Sequence, residues 1–214
     1  MNSTLKTGLG NKMKKLIVAL SMVMAFGASA ANYKEGVHYQ VLKSESFNAP
    51  DSVVKIYSVN CPFCYKYELG VIPNMVKNLP EGMTYDAYHI TTKPPFGKEK
   101  ASVIAVAKTL GQEQYKKVKM AYYARYHDQK LKFDTAGEVI DFGINLLGIS
   151  HSEFDAKLAS DSVVALLKQW DQGVEIAKIQ GIPALVVDGK YLINTKSITS
   201  LTMLDDLVAE LAQK

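Results

Sequence analysis

A pair of cysteines where a strand meets a helix constrains the fold more than any other feature of this chain. The run Val53–Asn60 is rich in β-branched and aromatic residues and predicts a strand. Cys61-Pro62-Phe63-Cys64 then opens a helix, with proline in the first turn, where its missing N–H costs nothing. Because unpaired N–H groups and the helix dipole favour a thiolate there, we expect the Cys61 pKa to fall from about 8.5 to about 4.5.

The chain has no other cysteine, and three interpretations of the pair compete. A structural disulfide across two residues closes so small a loop that it removes little entropy from the unfolded chain. A zinc half-site needs a second cysteine pair or suitably spaced histidines, and His38, His89, His127 and His151 are scattered singly. A dithiol that cycles between reduced and oxidised forms fits the strand-to-helix context. We favour this dithiol, which implies no metal, nucleotide or haem.

The first 30 residues look like a secretory leader. The lysine-rich stretch Lys12–Lys15 leads into the apolar run Leu16–Phe26, and Ala28-Ser29-Ala30 supplies the small residues that a signal peptidase needs. The apolar run is too short to span a bilayer, although a retained membrane anchor is the alternative. We predict cleavage after Ala30, with translation starting at Met1 or at Met13.

Removal of the leader changes what the net charge implies. The leader holds four of the 25 basic residues and no acidic one, which leaves 21 basic and 21 acidic residues in the mature chain. The composition therefore gives no reason to expect a nucleic-acid partner. An exported chain meets an oxidising compartment, in which a cysteine pair can persist as a disulfide.

Sequence periodicity predicts strands and helices in a recognisable order. Tyr39–Leu42 and Thr84–Ile90 are predicted strands, and the helix that follows Cys61 should run to about Leu79, broken near Pro73. Between residues 98 and 160 the apolar period is that of helices, which indicates a helical insert.

The remaining 54 residues return to a mixed pattern. A long helix ends at Gly181, two strands flank the Asp188-Gly189 turn, and Leu201–Leu211 forms the last helix. The prediction is a first α/β segment over 31–97, the helical insert over 98–160 and a second α/β segment over 161–214.

This order resembles the DsbA family of periplasmic thiol oxidases. Its marks are the Cys-Pro-x-Cys motif after a strand, Gly181-Ile182-Pro183 before a strand, and the Asp-Gly hairpin. The segments Tyr33–Tyr39, Leu79–Gly82 and Tyr88-His89 also match the family's usual sequence. The motif Cys-Pro-Phe-Cys is most similar to that of the DsbL branch. The resemblance covers most of the mature chain and implies an α/β protein, a thioredoxin fold with an inserted helical domain.

The resemblance also implies roles for individual residues. Cys61 would be the exposed cysteine that exchanges with substrate, and Cys64 its more buried resolving partner. Ile182-Pro183 would form a cis peptide bond beside the disulfide and lend backbone groups to an extended substrate segment. Pro62 and Phe63, between the cysteines, would tune the reactivity of the pair.

Two departures from the family's pattern would affect how strongly such a cysteine pair oxidises its substrates. Phe63 occupies the place where most members have histidine, and it cannot donate a hydrogen bond or charge to a thiolate. Lys55 occupies the place of a commonly buried glutamate, whose basic partner is replaced at Ala87. We weigh two positions for Lys55: a solvated one at a sheet edge, or a buried one in which its charge favours a thiolate of Cys61 or Cys64.

The function that the resemblance implies is donation of the Cys61–Cys64 disulfide to reduced exported proteins. Reoxidation would need a membrane quinone reductase of the DsbB or DsbI type, and the DsbL branch suggests an arylsulfate sulfotransferase among the substrates. We expect a monomer. The alternatives are a disulfide isomerase or reductase, and a peptide-binding chaperone module with incidental cysteines.

Overall fold

The computed structural model of the protein describes Met1, residues 32–43 and residues 47–214. The predicted leader and its cleavage site after Ala30 lie outside the described residues. Tyr33–Lys214 form one compact unit around a single mixed sheet. None of the helices in the described residues combines the length and the apolar composition that a membrane span requires.

Five strands make up this sheet, in the spatial order β1-β5-β4-β2-β3. The strands are β1 Tyr39–Val41, β2 Ser52–Tyr57, β3 Thr84–His89, β4 Ala184–Val187 and β5 Tyr191–Ile193. β2 and β3 are parallel, and the other neighbouring pairs are antiparallel. Every residue of β2 is buried; four of its six side chains are apolar, and Ser52 and Lys55 are the two buried polar ones. The sheet with its helices confirms the predicted thioredoxin-like fold class.

Eight α-helices surround this sheet among the described residues. They are α1 Pro62–Gly70, α2 Ile72–Lys77, α3 Gly97–Thr109, α4 Gln112–Tyr123, α5 Ala136–Leu147, α6 His151–Leu158, α7 Asp161–Gln180 and α8 Leu201–Leu211. A π-helical segment, Ala124–Asp128, continues α4. The predicted break near Pro73 is confirmed: α1 ends before Val71, and Pro73 sits in the first turn of α2, where it has no N–H to donate.

The two faces of the sheet bury two separate clusters of side chains. On one face, Val53, Leu185 and Val187 pack with residues of α2 and α8. On the other, Ile56 and Val186 pack with α7 and the helices between β3 and α7. Gly173 lets α7 lie directly on β2, because a Cβ atom there would stand 3.0 Å from Cγ2 of Ile56. The helices that follow β3 are thus part of the same core as the central strand.

Candidate active site

Cys61 is the N-cap residue of α1 and lies at the carboxyl end of β2. Its backbone is extended, with φ −98° and ψ 116°, and its Sγ accepts a hydrogen bond from the N–H of Cys64 at 3.3 Å. Pro62 occupies the first helical position, where a proline leaves no unpaired donor. The local sequence therefore points Sγ of Cys61 at the N-terminus of the helix.

This geometry lowers the pKa of Cys61 to about 6. The main cause is a hydrogen bond from the Cys64 thiol, followed by the N–H groups of Cys64 and Phe63 and by the charge of Lys93, while burial of the sulfur opposes them. The shift has the predicted direction but is smaller than the expected fall to about 4.5, because the sulfur loses part of its hydration.

Cys64 lies deeper than Cys61 and has the opposite tendency. Its side chain is fully buried, and burial, the hydrogen bond to Cys61 and the charge of a Cys61 thiolate all raise its pKa. Both cysteines are free thiols in this structure. A single negative charge in the pair therefore resides on Cys61.

A loop between α7 and β4 covers Cys61. The Ile182–Pro183 peptide bond is cis, as expected, and the carbonyl oxygen of Ile182 lies 3.6 Å from Sγ of Cys61. The register explains this contact, because Ala184 pairs with Ile56 and so places the start of β4 beside the end of β2. Cys61 is only 5% exposed as a result, so the expectation of an exposed cysteine is wrong as stated. The residue borders a groove instead of standing free on the surface.

The groove beside Cys61 has a volume of about 610 Å³. Its walls are largely apolar and include Ile90, Val174 and Ala177. Two lysines, Lys93 and Lys178, also line it. Phe63 also lines it and is 62% exposed. An extended peptide segment could therefore contact apolar walls while its sulfur reaches Cys61.

Lys55 is buried beneath the cysteines, so the solvated position that we weighed for it is wrong. Its side chain is 0% exposed, and its Nζ donates to the carbonyl oxygen of Cys64 at 3.1 Å and to Glu68 at 2.7 Å. Lys55 lies in β2 between Ala87 of β3 and Leu185 of β4, so neither neighbour in the sheet can pair its charge. A carboxylate from α1 pairs it instead.

Glu68 holds a second lysine as well. Nζ of Lys119, in α4, lies 2.5 Å from the other carboxylate oxygen of Glu68. Burial raises the pKa of Glu68, but the two lysines outweigh it and hold that pKa below its usual value. Lys55, Glu68 and Lys119 therefore form a buried ion triad under Cys64, with one more positive than negative charge. Among the described residues, no three potential metal-ligating side chains cluster together.

Comparison with known proteins identifies the family. The model of the DSBA-like thioredoxin domain matches residues 72–208, more than half of the chain. The chain belongs to the DsbA family. It is 36% identical to the thiol:disulfide interchange protein DsbL of Escherichia coli O6:H1, over 98% of this chain and 99% of that one. It is 34% identical to DsbA of Escherichia coli K12, over 89% and 91% of the two chains.

Solved DsbL structures share this fold. The crystal structure of reduced DsbL matches with a TM-score of 0.78 and 37% identity, covering 85% of this chain and all of that one. DsbL of Salmonella enterica serovar Typhimurium matches with a TM-score of 0.79 and 36% identity over 86% of this chain. This DsbA-family protein is a thiol:disulfide oxidoreductase.

The sequence alone did not reveal every residue that surrounds the site in this DsbA-family protein. Glu68 follows Cys64 by four residues, and this helical spacing could have placed it on the same face of α1 as Cys64. Lys93 follows a strand end and a turn, which indicates a loop but not its approach to Cys61. Lys119 comes from α4, and no local pattern brings it to α1. Its position depends on how the helices after β3 pack.

Proposed function

We propose that the protein is an exported dithiol oxidase that donates a Cys61–Cys64 disulfide to reduced proteins. The observation that carries this proposal is the difference between the two sulfurs. Cys61 has a pKa lowered to about 6 and borders a groove, whereas Cys64 is buried with a raised pKa. A low thiol pKa makes Cys61 a good leaving group and stabilises the reduced enzyme, which favours oxidation of the substrate.

The reaction would proceed in two exchanges. A substrate thiolate attacks Sγ of Cys61, the S–S bond to Cys64 breaks, and Cys64 leaves with the electron pair and takes up a proton. A second thiolate of the substrate then attacks the substrate sulfur of the mixed disulfide, and Cys61 leaves as a thiolate. The substrate loses two electrons and two protons, and the enzyme gains the two electrons.

The loop at Ile182-Pro183 and the groove would position the substrate. The backbone of Ile182 lies beside Sγ of Cys61, where an extended segment can run along it. The apolar walls and the exposed ring of Phe63 would contact side chains that flank the substrate cysteine. We assign residues 31–97 and 161–214 to the thioredoxin fold and residues 98–160 to a helical insert.

The leader-like sequence and the family support a periplasmic location and a membrane partner. The reduced dithiol needs an electron acceptor, and a quinone reductase of the DsbB or DsbI type is the partner that we propose. The similarity to DsbL makes an arylsulfate sulfotransferase the first substrate to test. The redox-active disulfide itself would be the only cofactor.

A trapping experiment tests the proposal. In the Cys64→Ala variant, the Cys61 thiolate can still attack a disulfide of an oxidised substrate, but no neighbouring cysteine of the enzyme can then displace that substrate. Mixed disulfides with exported proteins that carry cysteine pairs should therefore accumulate. The Cys61→Ser variant is the matched control and should trap none. If Cys61→Ser still binds unfolded peptides and suppresses their aggregation as well as the native protein does, the chaperone alternative replaces the oxidase.

Direction of transfer separates the oxidase from an isomerase or reductase. The oxidised protein should form disulfides in a reduced model substrate faster than the reduced protein rearranges a scrambled one. The opposite order would assign the protein to the isomerase alternative.

A further inference from the structure

The two residues before Cys61 are held by side chains from outside their own strand. The N–H of Val59 donates to Nε2 of His89 at 3.1 Å, and the carbonyl oxygen of Val59 accepts from Nε2 of His127 at 2.9 Å. Burial lowers the pKa of His89 to about 3, so this ring is neutral and free to accept. His127 comes from the π-helical segment after α4. Both polar groups of the Val59 backbone are thus fixed.

Asn60, directly before Cys61, makes three further hydrogen bonds. Its Nδ2 donates to the carbonyl oxygens of Lys93 at 3.0 Å and Pro95 at 2.9 Å. Its Oδ1 accepts from Nζ of Lys100 at 2.6 Å. With 5% of its surface exposed, Asn60 directs its side chain to this network and not to solvent. The loop after β3 is thereby tied to the residue that precedes Cys61.

Among the described residues, the buried cation Lys100 donates to a side-chain amide and a backbone carbonyl and contacts no carboxylate. It lies in the first turns of α3, is 1% exposed, and bonds Asn60 and the carbonyl oxygen of Pro95. Its Nζ stands 5.3 Å from the ring centre of Tyr126 and 5.5 Å from that of Phe133. Burial lowers its pKa to about 8. Moving an ammonium group out of water costs free energy, so packing alone does not account for a buried lysine at this position.

We propose that Lys100 is a positioning residue for Cys61 that acts through Asn60. The inference rests on the proposed role of Cys61 as the exchanging thiol. The chain from Ser58 to Cys61 forms a tight turn, in which the N–H of Cys61 donates to the carbonyl oxygen of Ser58 at 3.0 Å. Lys100 anchors this turn to α3 by way of the Asn60 side chain. The anchor keeps Sγ of Cys61 within 3.3 Å of the N–H of Cys64, which stabilises the thiolate.

This arrangement explains why the helices after β3 matter to the chemistry although none of them carries a reacting atom. α3 supplies Lys100 and the segment after α4 supplies His127, and both reach the two residues that precede Cys61. Movement of those helices would therefore change the direction of Sγ relative to the N-terminus of α1. Hydrogen bonds weaken steeply with angle, so a small rotation reduces the stabilisation of the thiolate.

Three variants and one control test this proposal by the ultraviolet absorbance of the Cys61 thiolate against pH. Lys100→Met removes the cation, Asn60→Ala removes its contact, and the double variant removes both. Each should raise the Cys61 pKa by about one unit, a tenfold fall in the thiolate-to-thiol ratio at a given pH. The pKa of the double variant should rise no further than that of Asn60→Ala, because Lys100 acts on Cys61 through the Asn60 side chain. Lys98→Met, at an exposed lysine of the same helix, should leave the pKa unchanged.

Other outcomes overturn the proposal. A rise in Lys100→Met without one in Asn60→Ala would show that the charge acts through space, and additive rises would show two independent effects. If Lys100→Met does not fold, Lys100→Gln replaces it, since glutamine can still donate to Oδ1 of Asn60 and should keep the pKa within about 0.3 units. A larger rise with glutamine contradicts positioning. The titration needs no substrate, so it stands even if the trapping experiment contradicts the oxidase.

Discussion

The two sulfur atoms of the motif belong to residues three positions apart, yet their surroundings differ in kind. Around Cys61 the protein offers hydrogen-bond donors, an apolar groove and the charge of Lys93, and none of the described residues that line the groove is a carboxylate. Beneath Cys64 it buries three full charges, those of Lys55, Glu68 and Lys119. The pKa of Cys61, the outer sulfur, is thus set mainly by neutral hydrogen-bond donors. Cys64, the inner sulfur, lies above buried ions whose charges must be paired with one another.

The largest effect is expected from breaking the ion triad. Glu68→Gln leaves Lys55 and Lys119 facing each other without a counter-charge, and removal of one member of a buried ion pair costs about 3–5 kcal/mol. We expect urea unfolding to show a loss of this size. Glu175→Gln is the matched control, because Glu175 pairs with Lys178 on the surface, where both side chains are about two-thirds exposed. Equal losses of unfolding free energy in the two variants would mean that the buried triad stabilises the protein no more than a surface ion pair does.

The thiolate of Cys61 should make the stability of the reduced protein depend on pH. The folded pKa of Cys61, about 6, is depressed below that of an unfolded cysteine, so the thiolate stabilises the reduced protein fully above the unfolded pKa, about 8.5. This stabilisation is lost as pH falls through about 6. The free energy of unfolding of the reduced protein should therefore gain about 2 kcal/mol relative to the oxidised protein between pH 5 and pH 9, after screening by the partly hydrated groove.

The measurement is a set of urea melts of both redox forms at each pH. Cys61→Ser has no titrating sulfur at this position and cannot form the disulfide. Its free energies of unfolding under reducing and oxidising conditions should therefore be equal at every pH. If the difference in unfolding free energy between the reduced and oxidised native protein does not vary with pH, the proposed Cys61 thiolate is contradicted.

The surroundings of Cys61 could be predicted from the sequence better than the buried ions beneath Cys64. The strand, Cys61 and the helix start are adjacent in the chain, so propensity and capping rules place Sγ of Cys61 at a helix terminus. The cis bond before Pro183 followed from the family resemblance, since prolines in general favour the trans form. Lys119 and Lys100 could not be placed, because each reaches the site from a helix whose packing no local pattern determines.

The position of Lys55 shows the same limit. A lysine in a strand flanked by apolar residues is compatible with a solvated edge or a buried pair, and the choice depends on a carboxylate two turns into the next helix. Glu68 decides it by accepting from Nζ of Lys55 at 2.7 Å. The sequence contained both residues, but only the packing of α1 on β2 brings their charges together.

Substitution of Phe63 can add a positive charge beside Cys61. Phe63 is 62% exposed beside Cys61, and Phe63→His would place a protonated ring near the thiolate below the histidine pKa. We expect the Cys61 pKa to fall by about one unit and the protein to become a stronger oxidant, measured by equilibration with glutathione. Phe63→Leu keeps an apolar side chain without the charge and should leave the pKa near that of the native protein. An equal shift in both variants would show that loss of the aromatic ring, and not the charge, is responsible.

The smallest effect is expected at Lys55, because its charge is already paired. Nζ of Lys55 donates to the Cys64 carbonyl, and its charge opposes the rise in the Cys64 pKa. Glu68 offsets most of the effect of the Lys55 charge on the sulfur atoms, and it also pairs with the charge of Lys119. Lys55→Met removes one cation and leaves the Glu68–Lys119 pair neutral, so we expect the apparent pKa of the dithiol to rise by about half a unit.

Lys55→Glu should raise the same pKa further, because a second carboxylate would face Glu68 and place negative charge beneath Cys64. Lys77→Met, at an exposed lysine of α2, is the control and should titrate like the native protein. Thiolate absorbance against pH in the four proteins orders them. Overlapping curves for Lys55→Met and the native protein would show that Glu68 cancels the charge of Lys55 at the sulfur atoms. The inner ions would then serve to hold α1 on the sheet and not to set the reactivity of the dithiol.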